Sequence, residues 1–213
     1  MTRCCLGVFF VALLMAGDAW KSKPISEWTA EDAKDVLADS AWAKRTPVTA
    51  LTQRSEAQLR EGGRMGGGAR RPKEGAPSVP AGPNHVAVRW ESALPIRTAE
   101  LKAGEVGAPD WDGDYYAIAV YDVPGLTGNP KILSGELKKA AVLKRTGKKD
   151  LKPERVDLVP ETNGRVMVVY LFPRSDAITL EDPNVEFVAQ MASLSLAQNF
   201  RPQEMQLLGK LEL

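Results

Sequence analysis

The stretch RVMVVYLF, residues 165–172, decides how this chain folds. Every residue after Arg165 is apolar, so a strand formed here would bury both of its faces. The stretch is also rich in β-branched and aromatic residues, which strands favour. It therefore predicts a central strand with a neighbour on each side.

Segments before and after this stretch show the shorter patterns of further strands. Val86, Val88 and Trp90 alternate with more polar residues after His85, which is the period of a half-buried strand. Other strands are predicted over residues 115–121, 140–145, 156–159, 185–191, 194–200 and 205–213. Because turn-forming residues separate these short runs, mostly antiparallel pairing is expected, as in an open sheet or a sandwich.

Helical patterns are few. Residues 28–45 are predicted to form a helix capped by Thr29, with Asp32 in the capping-box position and Thr46-Pro47 as the stop. A short second helix is predicted to open at Pro95 and to end at Gly104. The sequence thus predicts an α+β fold in which β dominates, preceded by an N-terminal helix.

The first nineteen residues have the features of a secretory signal peptide. Arg3 precedes an apolar run from Cys4 to Ala16, and the small residues Gly17 and Ala19 precede Trp20. The run is shorter than the roughly 20 residues that a membrane-spanning helix needs. We therefore expect a periplasmic or secreted protein, cut ahead of Trp20 and without a membrane span after cleavage.

Glycine and proline divide the mature chain. Residues 62–84 are dominated by these two residue types and cannot bury enough apolar surface to fold alone, so a flexible linker is predicted. The predicted organisation is a signal peptide (1–19), an N-terminal helical segment (20–61), this linker and a β-rich domain (85–213).

Composition excludes several kinds of chemistry. Both cysteines lie in the predicted signal peptide, so the mature chain would have neither a disulfide nor a thiol nucleophile. His85 is the only histidine, which excludes two-histidine metal motifs. The formal net charge of +1 gives no general attraction to nucleic acid. No cofactor and no nucleic-acid partner are expected.

Three aspartates alternate in PDWDGDYY, residues 109–116. Asp110, Asp112 and Asp114 match the first, third and fifth positions of a calcium-binding loop. Tyr115 and Tyr121 stand where such a loop needs glycine and glutamate. Asp112-Gly113 is a favoured hairpin turn, so a turn is the preferred interpretation and a weak calcium site the alternative.

The most marked charge feature is basic. Residues 138–155 contain eight basic and two acidic residues, without interleaved aromatics. An anionic envelope polymer or another exported protein could bind there, whereas single-stranded nucleic acid is disfavoured. The alternative is a solvated hairpin protected by lysines. The candidate binding residues are Lys144, Arg145, Lys148, Lys149 and Lys152.

Several segments resemble an uncharacterised family of exported bacterial proteins. Its members follow a signal peptide with a helix of the W-[ST]-x-x-[DE]-A type, to which EWTAEDAKDVLADSAWAKR (residues 27–45) is similar. VRWESALPIRTAEL, YLFPRSD, LEDPNVEF and MQLLGKLEL also look like that family. Ala41 stands where the family usually has proline, so the helix is expected to extend further here. The resemblance implies export and a shared fold, and it supplies no catalytic residue.

Two classes of function follow. The favoured prediction is a non-enzymatic binding or structural protein of the cell envelope. The alternative is a hydrolase of unfamiliar type that uses a carboxylate cluster such as Asp110, Asp112 and Asp114.

Overall fold

The fold was analysed in a computed structural model that describes residues 19–50, 85–105, 113–124, 126–161 and 164–213. Strands outnumber helices, and every strand pairing is antiparallel. The predicted α+β class with β dominant is confirmed. Most of the predicted signal peptide, the predicted linker, Asp110 and Asp112 lie outside the described residues.

A five-stranded sheet, called the large sheet, is organised around the apolar stretch of residues 165–172. Its strands are β1 (Ala43–Pro47), β3 (His85–Trp90), β4 (Tyr115–Val123), β6 (Arg155–Pro160) and β7 (Val166–Pro173). The spatial order is β1-β3-β4-β7-β6, so β7 has a neighbour on each side, as predicted.

A four-stranded sheet, the small sheet, has the order β2-β9-β8-β5. Its strands are β2 (Thr49–Ala50), β5 (Ala141–Arg145), β8 (Val185–Met191) and β9 (Leu194–Phe200). The chain passes from β1 to β2 through Val48 alone, which links one edge of the large sheet to an edge of the small sheet.

The two sheets pack face to face around one aromatic core. Trp90 on the large sheet meets Phe200 on the small sheet edge to face, with ring centroids 5.2 Å apart. Tyr170 meets Phe187 in the same way, also at 5.2 Å. Such pairs stabilise beyond the burial of their area, by about 1 kcal/mol each. The sandwich is therefore held by interdigitated side chains rather than by covalent links.

The opposite face of the large sheet is also buried in part. Side chains of β4 and β7 that point away from the sandwich form a second apolar cluster, because successive side chains alternate between faces. Its fully or nearly fully buried members are Ala117, Ala119, Met167, Val169 and Leu171. This explains why the sequence of β7 is apolar on both faces.

Three α-helices complete the described elements: α1 (Ala30–Ala38), α2 (Leu94–Ala103) and α3 (Pro130–Lys139). Two short 3₁₀ helices, Ala19–Ser22 and Ile25–Glu27, precede α1. The helix predicted at Pro95 is confirmed, and it ends at Gly104 in the left-handed conformation that glycine favours (φ 69°). No described helix is long and apolar enough to span a bilayer.

The N-terminal helix is shorter than predicted. Its capping box between Thr29 and Asp32 is present, but the helix ends at Ala38 instead of continuing to Arg45. The Ser40 hydroxyl accepts hydrogen bonds from the backbone N–H groups of Trp42 and Ala43, which gives the chain a local alternative to the helix. Trp42 turns into the core, and the chain continues as β1.

The strand predicted at the C-terminal end was wrong, and one helix was not predicted. Residues 205–213 form not one strand but a hairpin of β10 (Gln206–Leu207) and β11 (Lys210–Leu211), because Leu208 and Gly209 take positive φ angles and reverse the chain. Helix α3 was missed because only Leu137 is fully buried along it. Asn129 followed by Pro130, a helix cap followed by proline, was the sequence pattern that indicated this helix.

The N-terminal segment and the β-rich region share one core. Strand β1 pairs with β3, and α1 packs on α2. Trp42 donates its indole N–H to the carbonyl of Glu212 at 2.7 Å, joining residues at opposite ends of the chain.

Candidate functional site

The predicted basic residues lie around β5, and three of the five are engaged with acidic partners. Lys144 pairs with Glu186 on the neighbouring strand at 3.0 Å. Lys148 lies 2.9 and 3.0 Å from the two carboxylate oxygens of Asp182, whose side chain is fully buried. The Arg145 side chain, also fully buried, donates to the carboxylate of Asp176.

Arg145, Lys148, Asp176 and Asp182 together form what we call the ionic clamp. Arg145 also donates to the Lys149 carbonyl from Nε and Nη2, at 3.1 and 2.6 Å. These bonds fasten the turn after β5 to the loop that precedes β8, so the clamp has an evident structural role.

The ionic clamp holds its carboxylates in the charged form. The hydrogen bond from Arg145 lowers the pKa of Asp176 below its usual value. Burial alone would raise the pKa of Asp182, but the Lys148 ammonium and the Thr179 N–H outweigh burial and lower it. Both aspartates are therefore ionised well below neutral pH.

Lys149 and Lys152 are both exposed. Binding of a polyanion by this segment stays a prediction. These two lysines are the candidates for contact with a polyanion, because the other three basic residues are paired with acidic groups. The calcium hypothesis stays a prediction as well. Asp114 is the only described member of its aspartate set, and the described residues contain no group of three or more potential metal ligands.

A cleft of about 430 Å³ lies where the N-terminal segment meets the C-terminal hairpin. It brings together the segments 20–23, 39–44 and 204–208, and we call it the N-terminal cleft. Trp20 and Trp42, whose rings are 6.2 Å apart, lie behind the surface of the cleft, and both side chains are almost fully buried in the core. Its volume is in the range of sites that hold small molecules.

Leu208 at the rim of this cleft combines two unusual properties. Its side chain is 85% exposed, and its φ angle is +50°, a region that bulky residues avoid. Asparagine or glycine would relieve the strain in this turn. Leu208 is therefore an exposed apolar side chain at the rim of the cleft.

The charged groups around the cleft favour a negatively charged ligand only modestly. Lys21, Lys23 and Lys44 line the cleft together with Asp39 and Glu204. Lys44 is bound to Asp39 at 2.6 Å, and Lys23 is bound to Asp32 outside the cleft at 2.8 Å. The lining side chains thus carry three positive and two negative charges.

The described residues also contain a buried cluster of carboxyl groups that sequence patterns did not predict. Glu91 follows β3, Glu100 lies on α2, and we call these two residues the acid pair. The Tyr121 hydroxyl lies 2.8 Å from Glu91 Oε1 and 3.0 Å from Glu100 Oε1. Glu91 is fully buried, and Glu100 is 4% exposed.

The Arg89 guanidinium beside the acid pair is directed mainly at another carboxylate. Arg89 Nη1 lies 2.8 Å from Glu105 Oε2 but 3.9 Å from Glu100 Oε1. The Arg89 guanidinium also stacks on the Tyr121 ring, 4.5 Å from its centroid. Its closer bond goes to Glu105, so Arg89 compensates the charge of the acid pair only in part.

Burial and mutual repulsion make the acid pair hold a proton. Desolvation, and then the charge of Glu100, raise the pKa of Glu91 to about 8. Desolvation also raises the pKa of Glu100. The buried Oε2 of Glu91 has no hydrogen-bond partner among the described residues.

Sequence reasoning placed Glu91 on the polar face of a half-exposed strand. The only signal was the Arg89–Glu91 alternation after His85, which is equally common on solvated faces. The approach of α2 and Tyr121 is a tertiary event that no short pattern encodes.

No known protein family, curated protein or solved structure matches this chain. The fold defines an α+β protein built on an antiparallel sandwich. The resemblance to a family of exported bacterial proteins remains a prediction.

Proposed function

We propose that this chain is an exported, non-enzymatic binding protein that holds a small amphiphilic anion in the N-terminal cleft. The observation that supports the proposal is the cleft itself, with its exposed Leu208 at a positive φ angle and its lysines. An apolar ligand body would contact Leu208, and the anionic group would lie near the lysines.

Export and the cleft are connected through Trp20. Cleavage ahead of Trp20 would create a new α-amino group at a residue that lines the cleft. That group is largely protonated at neutral pH and would increase the positive charge around the cleft.

The acid pair gives little support to the hydrolase alternative. A hydrolytic site must admit a substrate and a water molecule, whereas both carboxyl groups of the acid pair are almost fully buried.

Binding can be tested with dodecanoate as the probe. Trp20 and Trp42 adjoin the cleft, so titration of the mature chain should change the intrinsic tryptophan fluorescence in a saturable way. Leu208→Asn removes the apolar contact and suits the positive φ, so it should weaken dodecanoate binding at least fivefold while the fold is retained. Leu101→Asn, at a leucine on α2 that is 83% exposed, is the matched control and should bind normally.

A saturable signal of equal strength in the Leu208→Asn variant, or none in the native protein, would contradict binding in the cleft. Dodecyltrimethylammonium tests the charge preference, because it has the same tail and a cationic head. It should bind at least fivefold more weakly than dodecanoate.

Export needs its own experiment. The full chain, expressed in a bacterial host, should be recovered outside the cytosol with Trp20 as its first residue by mass spectrometry. A chain that stays in the cytosol and retains Met1 would contradict export without bearing on the cleft.

A further inference from the structure

The acid pair connects α2 to the large sheet. Glu91 follows β3, Tyr121 is on β4, and Glu100 is on α2. The hydrogen bonds at Tyr121 are therefore a polar attachment of α2 to the large sheet, beside the burial of Ile96 and Ala99 in the main core. Tyr121 also packs against the second apolar cluster, which keeps the site dry.

The charged groups around the acid pair are few. Arg89 on β3 is stacked on Tyr121 and bonded to Glu105, which follows α2. Arg97 on α2 acts on Glu100 through its positive charge. If both glutamates were ionised, this arrangement would leave two negative charges in a buried contact with only partial compensation.

We propose that a single proton shared within the acid pair fastens α2 to the large sheet, and that the helix is released more often as rising pH removes this proton. The proposal does not depend on the ligand of the N-terminal cleft or on export.

The direction of the pH effect follows from the environment. Once α2 has moved away, Glu91 meets water and its pKa returns towards 4.5, whereas in the closed state it is about 8. Opening therefore releases a proton between these two pH values. The opening constant should rise by up to about tenfold per pH unit in this interval and level off above it.

Release of α2 would also affect the N-terminal segment. Lys102 on α2 donates to the carbonyl of Ser26 at 3.0 Å and to the carbonyl of Trp28 at 2.9 Å. Helix α1 packs directly on α2. The N-terminal segment should consequently lose protection together with α2.

Hydrogen exchange of the full mature chain between pH 5.5 and 8.5 tests the proposal, after correction for the intrinsic exchange rate. Amides of residues 94–103 should open more often as the pH rises, at a lower free energy than the amides of β4 and β7. Glu91→Gln keeps the acceptor for Tyr121 and cannot ionise, so its opening constant should vary less than threefold across this range. Glu186→Gln, at a half-exposed surface ion pair, is the control and should keep the native pH dependence.

Two outcomes would overturn the proposal. One is a Glu91→Gln variant with the native pH dependence. The other is opening of residues 94–103 only together with β4 and β7 at every pH, which would show global unfolding and no separate release of α2. If Glu91→Gln does not fold, Glu100→Gln takes its place, with the same expected result.

Discussion

The acid pair and the ionic clamp both bury carboxyl groups, but they neutralise them in opposite ways. In the ionic clamp, Lys148 lies within 3.0 Å of Asp182, and Arg145 is bonded to Asp176. In the acid pair, Arg89 is bonded more closely to Glu105, and two carboxyl groups face one hydroxyl. The pKa of the buried Asp182 is therefore lowered, whereas the pKa values of the buried Glu91 and Glu100 are raised.

This difference shows that burial alone does not determine how a carboxyl group affects stability. A carboxylate with a buried cationic partner stabilises the fold above its unfolded pKa, and that contribution is lost in acid. A carboxyl group with a raised pKa contributes stability that is fully present below its unfolded pKa and is lost as the pH rises through its native pKa. The two regions should thus limit stability at opposite ends of the pH scale.

The largest expected effect is at Asp182. Asp182→Ala removes a fully buried carboxylate and leaves the Thr179 N–H and the Lys148 ammonium without their acceptor. We expect a loss of about 2 to 3 kcal/mol in the free energy of unfolding at pH 7, measured with urea. Asp157→Ala, which removes a more exposed pair with Arg155, is the control and should cost less than about 0.5 kcal/mol. Equal losses in the two variants would show that the ionic clamp stabilises the fold no more than a surface ion pair does.

The second effect has the opposite sign. Glu91→Gln should increase the free energy of unfolding by about 2 kcal/mol at pH 8, because the variant has no proton to lose. At pH 5 the difference should shrink to less than about 1 kcal/mol, since Glu91 is then protonated in the native protein. Urea unfolding at the two pH values measures both numbers. A variant less stable than the native protein at pH 8 would contradict the raised pKa.

A smaller effect is expected at Asp176, which is half exposed. Asp176→Asn should lower the thermal midpoint at pH 7, because the charge that Arg145 binds is removed. The contribution is present above the unfolded pKa of 3.8 and is lost as the pH falls through the lower native value. The midpoints of the variant and the native protein should therefore approach each other as the pH falls below 3.8. A constant difference from pH 7 into this acidic range would argue against the charge as the cause.

The smallest effect on stability is expected at the exposed lysines. Lys149→Glu combined with Lys152→Glu should change the free energy of unfolding by less than about 0.5 kcal/mol. If the basic segment binds polyanions, the same variant should elute from immobilised dextran sulfate at lower salt than the native protein. Unchanged elution would leave the polyanion prediction without support.

Local patterns predicted the class of fold and most strands. The apolar composition of residues 165–172 by itself predicts a buried strand. Gly104 predicts a helix end because glycine adopts the left-handed conformation readily. Three features could not be predicted in this way. Helix α1 ends early because the Ser40 side chain makes hydrogen bonds that compete with the helix. Strand β1 forms because it pairs with β3, which is distant in sequence. Helix α3 buries too few apolar side chains to produce a helical period in the sequence.

The candidate sites were less predictable because distant segments form them. The N-terminal cleft joins residues near both ends of the chain, and the acid pair joins a strand, a helix and a second strand. The basic residues were visible as a cluster, but their acidic partners at positions 176 and 182 were not, since ion pairing depends on how two loops meet.

The bond from Trp42 to the carbonyl of Glu212 has a consequence for how the chain acquires its structure. Its partners are 170 positions apart, and β2 likewise pairs with β9 close to the other end. Such distant contacts form late and slowly. A ribosome or a translocation channel that delivers the polypeptide from its amino end would therefore have to release it at least as far as Glu212 before the bond to Trp42 can form.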